Sequence, residues 1–386
     1  MKYISFNIPK CFLYLILIAI TRTITDYIRN YGERYFKFAI FRLFLMFIGQ
    51  LFVIAFYLIQ KKILNKQFNE NNYSLILEET NIINKKYKYL KFFLFFNTLL
   101  AFFSELNWRS MLYNYKMLTV DEIFIQLLGD LVLFSSYIFA EKYLLEMNTY
   151  RHHYLAIGLN ILSFIIITIY FIFKIQWRYF TFIPFICVIL ITFESKFIES
   201  IAYTIPKKLN HDYFINMNYI LIIEGIIGIF YCFIFDFIYS NIFKCDINFY
   251  TRISSLIDNK SEFVILVISY IIFICILNIL NFKVIEETKP SYLAISSGLT
   301  NLFIQISHYI QNKFFKQNFQ NELNIITIIF TIFLFLSFCI FSEIISLHFW
   351  RLDKYTNEEI SDRGKRDTIA FINDILPQGQ DSELGI

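Results

Sequence analysis

The sequence consists largely of apolar runs of about 20 residues that are separated by polar connections. A helix of about 20 residues crosses the hydrocarbon core of a bilayer, and a helix satisfies all of its own backbone hydrogen bonds there. Of the 386 residues, 57% are hydrophobic and 17% are charged. A soluble domain has about 25% charged residues. The pattern predicts an all-α, polytopic membrane protein.

We divide the chain into ten predicted transmembrane spans. The first five cover residues 11–28, 36–59, 90–113, 121–143 and 154–173. The second five cover 182–199 and 219–231 with their flanks, then 263–282, 292–310 and 323–347. Five spans per half make the second half enter the membrane in the opposite direction, as an inverted repeat. We therefore predict a five-helix repeat at 1–175, a second at 176–350, and a disordered cytosolic tail at 351–386.

The distribution of basic residues predicts cytosolic termini. Ten spans place both termini on one side, where Lys and Arg number about 20 against about 12 on the other side. Two sequons provide a check, because Asn72 would then be cytosolic and Asn259 lumenal or extracellular.

Acidic residues inside the predicted spans point to a sheltered polar space. An ionised carboxylate in hydrocarbon costs at least about 2.5 kcal/mol, so Glu194 and Glu224 must face protein or water. We expect both to line a substrate cavity, where they pair with Lys196 or carry a coupling proton. The alternatives are hydrogen bonding between helices and a carboxyl group near the membrane edge.

Polar residues also share one face of two predicted spans. In the ninth span the spacings of four, four and three place four side chains together: Ser297, Asn301, Gln305 and His308. In the fourth span Gln126 and Asp130 are four apart. Since lipid cannot satisfy these groups, we expect both faces to turn inward and bind substrate, interhelical hydrogen bonding being the alternative. His308 is the exception, because it lies near the membrane interface, where we expect a solvated histidine.

Nothing in the sequence indicates a metal, a cofactor or a nucleic acid. The six cysteines show no C-x-x-C or Cys/His spacing typical of zinc. His152 and His153 lie in a predicted turn, where we expect them to be solvated. No basic tract with interleaved aromatics forms a nucleic-acid surface.

Short motifs along nearly the whole chain resemble a known family. They lie at 41–50, 125–128, 193–197, 224–228 and 287–289, with a fainter one at 366–374. The clearest is Glu224-Gly225-Ile226-Ile227-Gly228, which resembles a Glu-Gly-x-x-Gly motif in a seventh helix. The chain resembles the drug/metabolite transporter superfamily and, within it, solute carrier family 35, subfamily F. This resemblance implies a ten-helix fold and an endomembrane location, lysosomal or Golgi-type rather than plasma membrane.

The chain also departs from that family. Gly129-Asp130 stands where the family has Arg-Gly, and Ala294 and Asn301 stand at basic positions of its ninth helix. If those arginines hold an anionic substrate, this chain has lost it.

The sequence therefore predicts a secondary transporter that moves a small polar metabolite across a bilayer by alternating access. One alternative is a nucleotide-sugar transporter, which needs basic residues in the cavity, and Lys196 is the one good candidate in the core. The other is a non-transporting scaffold derived from a carrier. We expect no enzymatic activity, since paired-Asp protease, Asp-His-His-Cys and phosphatase motifs are absent. The oligomeric state stays open, a homodimer included.

Overall fold

The computed structural model describes ten stretches of the chain: residues 4–6, 12–31, 39–68, 93–106, 122–146, 150–174, 182–213, 215–242, 261–315 and 325–347. The predicted tail at 351–386 and both sequons lie outside these residues. The N-terminal half contains α1 (Phe12–Tyr31), α2 (Ala39–Leu51), α3 (Val53–Phe68), α4 (Phe93–Leu106), α5 (Glu122–Leu144) and α6 (Arg151–Lys174). The C-terminal half contains α7 (Phe182–Tyr213), α8 (Met217–Ile242), α9 (Ser261–Glu287), α10 (Tyr292–Phe315) and α11 (Ile325–Phe341).

Two short strands complete the described structure. Strand β1 (Ile4–Phe6) pairs antiparallel with β2 (Ile345–Leu347), with Ile4 opposite Leu347. The pairing joins the segment before α1 to the segment after α11. The rest of the described chain is almost wholly helical, as the sequence predicts.

Helices overlap each of the ten apolar runs, but the boundaries differ in three places. The tenth predicted run reaches 347, but α11 ends at Phe341 and residues Ile345–Leu347 form β2. The second run is a pair of helices, α2 and α3, which are interrupted at Phe52. Helix α7 continues to Tyr213, past the end of its apolar run at 199 and through Pro206. The end of an apolar run therefore does not mark the end of the helix, because polar residues continue α7 beyond it.

Four described helical stretches, the first made up of α2 and α3, are long and apolar enough to cross a membrane by length and composition. They cover Ile40–Ile59, Arg151–Ile169, Met217–Ile238 and Phe263–Glu287. Large apolar side chains also cover the outer surface, such as Phe237 at 68% exposure and Leu190 at 62%. Soluble monomers rarely expose such surfaces. These features are compatible with a multi-pass membrane protein.

Helix contacts recur with a shift of five predicted spans. Helix α1 packs on α9 and α10, the eighth and ninth spans. Five spans later, α7 packs on α5, the fourth span, and forms hydrogen bonds to α4, the third. The pairs α2–α8, α6–α11 and α5–α10 also contact each other, and each joins a span to the span five places later.

Glycines allow α2 to pack closely against two neighbours. A Cβ atom at Gly228 of α8 would lie 2.2 Å from ring carbons of Phe47. A Cβ atom at Gly49 would lie 2.9 Å from Cγ2 of Ile274 in α9. Small residues let helix backbones approach closely in membrane proteins. The glycines of the Glu224–Gly228 motif thus fix how α8 lies on α2.

Candidate functional site

A polar cavity of about 190 Å³ lies inside the helix bundle. Its walls come from α1, α2, α4 and α5 of the N-terminal half and from α7, α9 and α10 of the C-terminal half. A water molecule needs about 10–15 Å³ of such volume, so the cavity has room for roughly a dozen waters or a small solute. Charged and amide side chains on this wall therefore share one space inside the bundle.

Asp130 of α5 is held by two side chains of α10. Its Oδ1 atom accepts a 2.6 Å hydrogen bond from Oγ of Ser297, and its Oδ2 atom accepts a short one from Nδ2 of Asn301. Asp130 and Asn301 are buried, at 5% and 7% exposure, and all three residues line the cavity. The sequence placed these residues on inward faces, and the structure adds that the two faces meet.

Two basic residues of α1 also line the cavity. Arg29 forms a 3.2 Å ion pair with Asp26, one turn earlier on the same helix. Arg22 lies on the same wall and makes no ion pair within the described part of the chain. The expectation that Lys196 is the one basic candidate is therefore wrong. The sequence feature that could have revealed these two arginines is a helical spacing that places four residues on one face: Arg22, Thr25, Asp26 and Arg29.

Lys196 of α7 lines the cavity beside an acid that the sequence analysis did not select. Its Nζ atom lies 2.6 Å from Oε2 of Glu199, and both residues contribute to the wall. The expected partners were Glu194 and Glu224. Residues two apart in a helix do not face each other, whereas residues three apart do, so Glu199 is better placed than Glu194.

Glu224 links helices at a place outside the cavity wall. Its Oε1 atom accepts a 2.8 Å hydrogen bond from Nδ2 of Asn97, which also donates to the carbonyl of Ala202 at 3.1 Å. This network ties α4, α7 and α8 together. The structure favours the helix-bridging alternative for Glu224, and a part in substrate binding stays a prediction.

Three other predicted site residues, Glu194, Gln126 and Gln305, are not seen to line the cavity. The side chain of Glu194 is exposed on α7 and is not part of the cavity wall. Gln126 and Gln305 lie in α5 and α10, but their side chains are outside the described structure. The same holds for His308 in α10.

The histidine pair is buried, so the prediction of solvated histidines is wrong. Helix α6 begins at Arg151, which places His152 and His153 in its first turn, each 3% exposed. Nε2 of His152 lies 3.4 Å from Oε1 of Glu343. The sequence could not reveal this contact, since Glu343 follows α11, nearly 200 residues later.

His152, His153 and Glu343 lie close enough to suggest a metal site, since their ligand atoms are within 4.8 Å of one another. However, Nδ1 of His153 accepts a hydrogen bond from the backbone N–H of Tyr150 at 3.0 Å. A neutral imidazole then carries its proton on Nε2, the nitrogen that a metal would need. The cluster is therefore a polar contact between α6 and the segment that follows α11.

Comparison with known proteins adds no family to this picture. The chain matches no protein-family model and no curated protein. The resemblance to solute carrier family 35 therefore rests on the short motifs of the sequence.

Proposed function

We propose that this chain is a secondary transporter that moves a small polar solute across a membrane by alternating access. The observation that carries the proposal is the polar cavity between α1, α5, α7 and α10. Ionisable residues inside a helix bundle are costly and commonly mark a substrate or ion pathway. A cavity that places acids, bases and amides around one space suits a solute with several hydrogen-bonding groups.

The helix contacts support an inverted repeat of two five-helix halves. Under a shift of five spans, the contacts of α1 with α9 and α10 become the contacts of α7 with α4 and α5. The cavity draws its wall from both halves. In transporters built from inverted repeats, substrate sites lie where the repeats meet.

The Asp130 contact suggests how the two halves are coupled. Asp130 belongs to the N-terminal half, whereas Ser297 and Asn301 belong to the C-terminal half. When the halves rock about the cavity, these hydrogen bonds must lengthen or exchange partners. A solute that competes for the carboxylate of Asp130 would lower the cost of that exchange.

The two alternatives fit the cavity less well. A nucleotide sugar needs basic residues for its phosphates, and Arg22, Arg29 and Lys196 line the wall. However, Arg29 and Lys196 already pair with acids, so little positive charge is left for a diphosphate. A scaffold without transport activity gives no reason to keep a cavity lined by charges.

The remaining assignments follow from the same proposal. We place the protein with the drug/metabolite transporters, as an endomembrane carrier with cytosolic termini and no enzymatic activity. The solute and the bilayer are its proposed partners.

Transport into liposomes tests the proposal. Purified protein is reconstituted and incubated with a mixture of small polar metabolites, and the vesicle contents are measured by mass spectrometry. We expect at least one solute to accumulate above protein-free vesicles, and Asp130→Ala to abolish this accumulation. Arg151→Gln is the control, because Arg151 is exposed at the start of α6 and away from the cavity.

Two outcomes would contradict the proposal. It is wrong if well-folded wild-type protein takes up none of the solutes, or if Asp130→Ala transports like wild type.

A further inference from the structure

We infer that the cavity binds a small zwitterion, a molecule with one anionic and one ammonium group, with its anionic end on Arg22 and its ammonium end on Asp130. α-Amino acids are the simplest members of this class. The inference rests on the proposed transporter function for its context, and it adds the substrate class.

The pairing of charges around the cavity leads to this inference. Arg29 pairs with Asp26 at 3.2 Å, and Lys196 pairs with Glu199 at 2.6 Å. Both pairs are formed within one helix and need no ligand. Glu105 also lines the cavity and has an interaction of its own.

Arg22 and Asp130 remain, and their charges are opposite. Asp130 accepts hydrogen bonds from neutral side chains of α10, and it makes no ion pair with a described residue. Arg22 makes none within the same part of the chain. One cation and one acid that form no ion pair with any described residue thus line the same space, on α1 and α5.

Electrostatics favours a ligand that pairs with Arg22 and Asp130 at the same time. Taking a charge out of water costs free energy that an opposite charge on a ligand can offset. An anion would pair with Arg22 but repel the carboxylate of Asp130, and a cation would pair with Asp130 but repel Arg22. A zwitterion pairs with both and adds no net charge to a site within a membrane.

Both side chains have the hydrogen-bonding capacity that the ligand needs. A carboxylate offers about four lone-pair positions, and Asp130 uses two of them for Ser297 and Asn301. The others can accept from an ammonium group, which carries three donors. A guanidinium group such as that of Arg22 binds a carboxylate through two parallel hydrogen bonds.

Three probes built on the same two-carbon CH3–C unit test the inference. L-alanine carries both charges, propionate carries only the carboxylate, and ethylamine carries only the ammonium group. Binding to purified wild-type protein is measured by calorimetry, with thermal unfolding in detergent as a second readout. We expect L-alanine or a larger neutral amino acid to bind at least tenfold more tightly than either single-charge probe.

Variants assign each end of the ligand. Arg22→Gln and Asp130→Asn should each weaken amino-acid binding at least tenfold, whereas Arg151→Gln should bind like wild type. Arg22→Lys, which keeps the charge, should retain part of the affinity. If a neutral variant does not fold, the three-probe comparison on wild-type protein still decides the question.

Several results would overturn the inference. Propionate or ethylamine binding as tightly as the amino acids would show a site for a single charge. Equal binding in Arg22→Gln and wild type would remove Arg22. If liposomes take up another solute through Asp130 but no amino acid binds, the substrate class is wrong and the transporter stands. If amino acids bind but no solute is transported, the site stands and the transporter proposal fails.

Discussion

Replacing Gly228 with alanine should drive α8 and α2 apart. In the native packing, a Cβ atom at this position would lie 2.2 Å from Cδ1 and Cε1 of Phe47. Ordinary contact begins at 3.4 Å, so the ring would have to retreat from 2.2 Å to at least 3.4 Å, an increase of 1.2 Å. Phe47 is 1% exposed and stacks on Phe102 with ring centroids 6.4 Å apart, so it has little room to move.

The magnitude follows from two opposing effects. Overpacking a well-packed core costs about 1–3 kcal/mol. Replacing glycine by alanine inside a helix returns up to about 1 kcal/mol of helix propensity. Gly158→Ala is the matched control, because Gly158 lies in α6 and a Cβ atom there meets nothing within 4 Å. The two alanine variants should therefore differ by about 1–3 kcal/mol in unfolding free energy.

Thermal unfolding in detergent measures this difference. Gly158→Ala should unfold at or slightly above the wild-type midpoint, and Gly228→Ala clearly below it. Adding Phe47→Leu to Gly228→Ala should restore part of the loss, because the two sites contact each other and their effects are not additive. If Gly228→Ala is as stable as Gly158→Ala, the close packing of α2 and α8 described here is wrong.

Three further substitutions test the buried polar contacts. Asn97→Ala removes the hydrogen bond to Glu224 and should cost about 1–3 kcal/mol of stability, whereas Glu224→Gln can still accept that bond and should cost less. Equal losses would argue against the network. Ser297→Ala removes one of the two hydrogen bonds to Asp130 and should cost about 1 kcal/mol while solute transport persists at a reduced rate. Complete loss of transport in a stable Ser297→Ala protein would give Ser297 a larger part than positioning Asp130.

The sequence predicts the positions of the helices well, because a long apolar run satisfies its backbone hydrogen bonds most readily as a helix. The predicted run at 121–143 is α5 at Glu122–Leu144, and 263–282 lies within α9 at Ser261–Glu287. It does not predict where a helix continues past the apolar run, as α7 does.

Contacts between helix faces are harder to predict. The periodicity of polar residues shows which face of a helix turns inward, but not which other helix that face contacts. The sequence placed Asp130 and Ser297 on inward faces but could not show that they bond to each other. It missed Arg22 because the cavity forms only when α1 lies against α9 and α10. It also missed the burial of His152, which depends on Glu343 at the far end of the chain.

Cysteine accessibility tests the central claim most directly. Thr300 is buried at 3% exposure on the cavity wall, and a cysteine is close to it in size. Thr300→Cys is prepared with the six native cysteines replaced, reconstituted in liposomes, and exposed to a membrane-impermeant thiol reagent from either side. Gly158→Cys, on an exposed face of α6, serves as the control for a position outside the cavity. Alternating access predicts labelling of Thr300→Cys from both sides of the membrane, whereas labelling from one side only, or from neither, would contradict it.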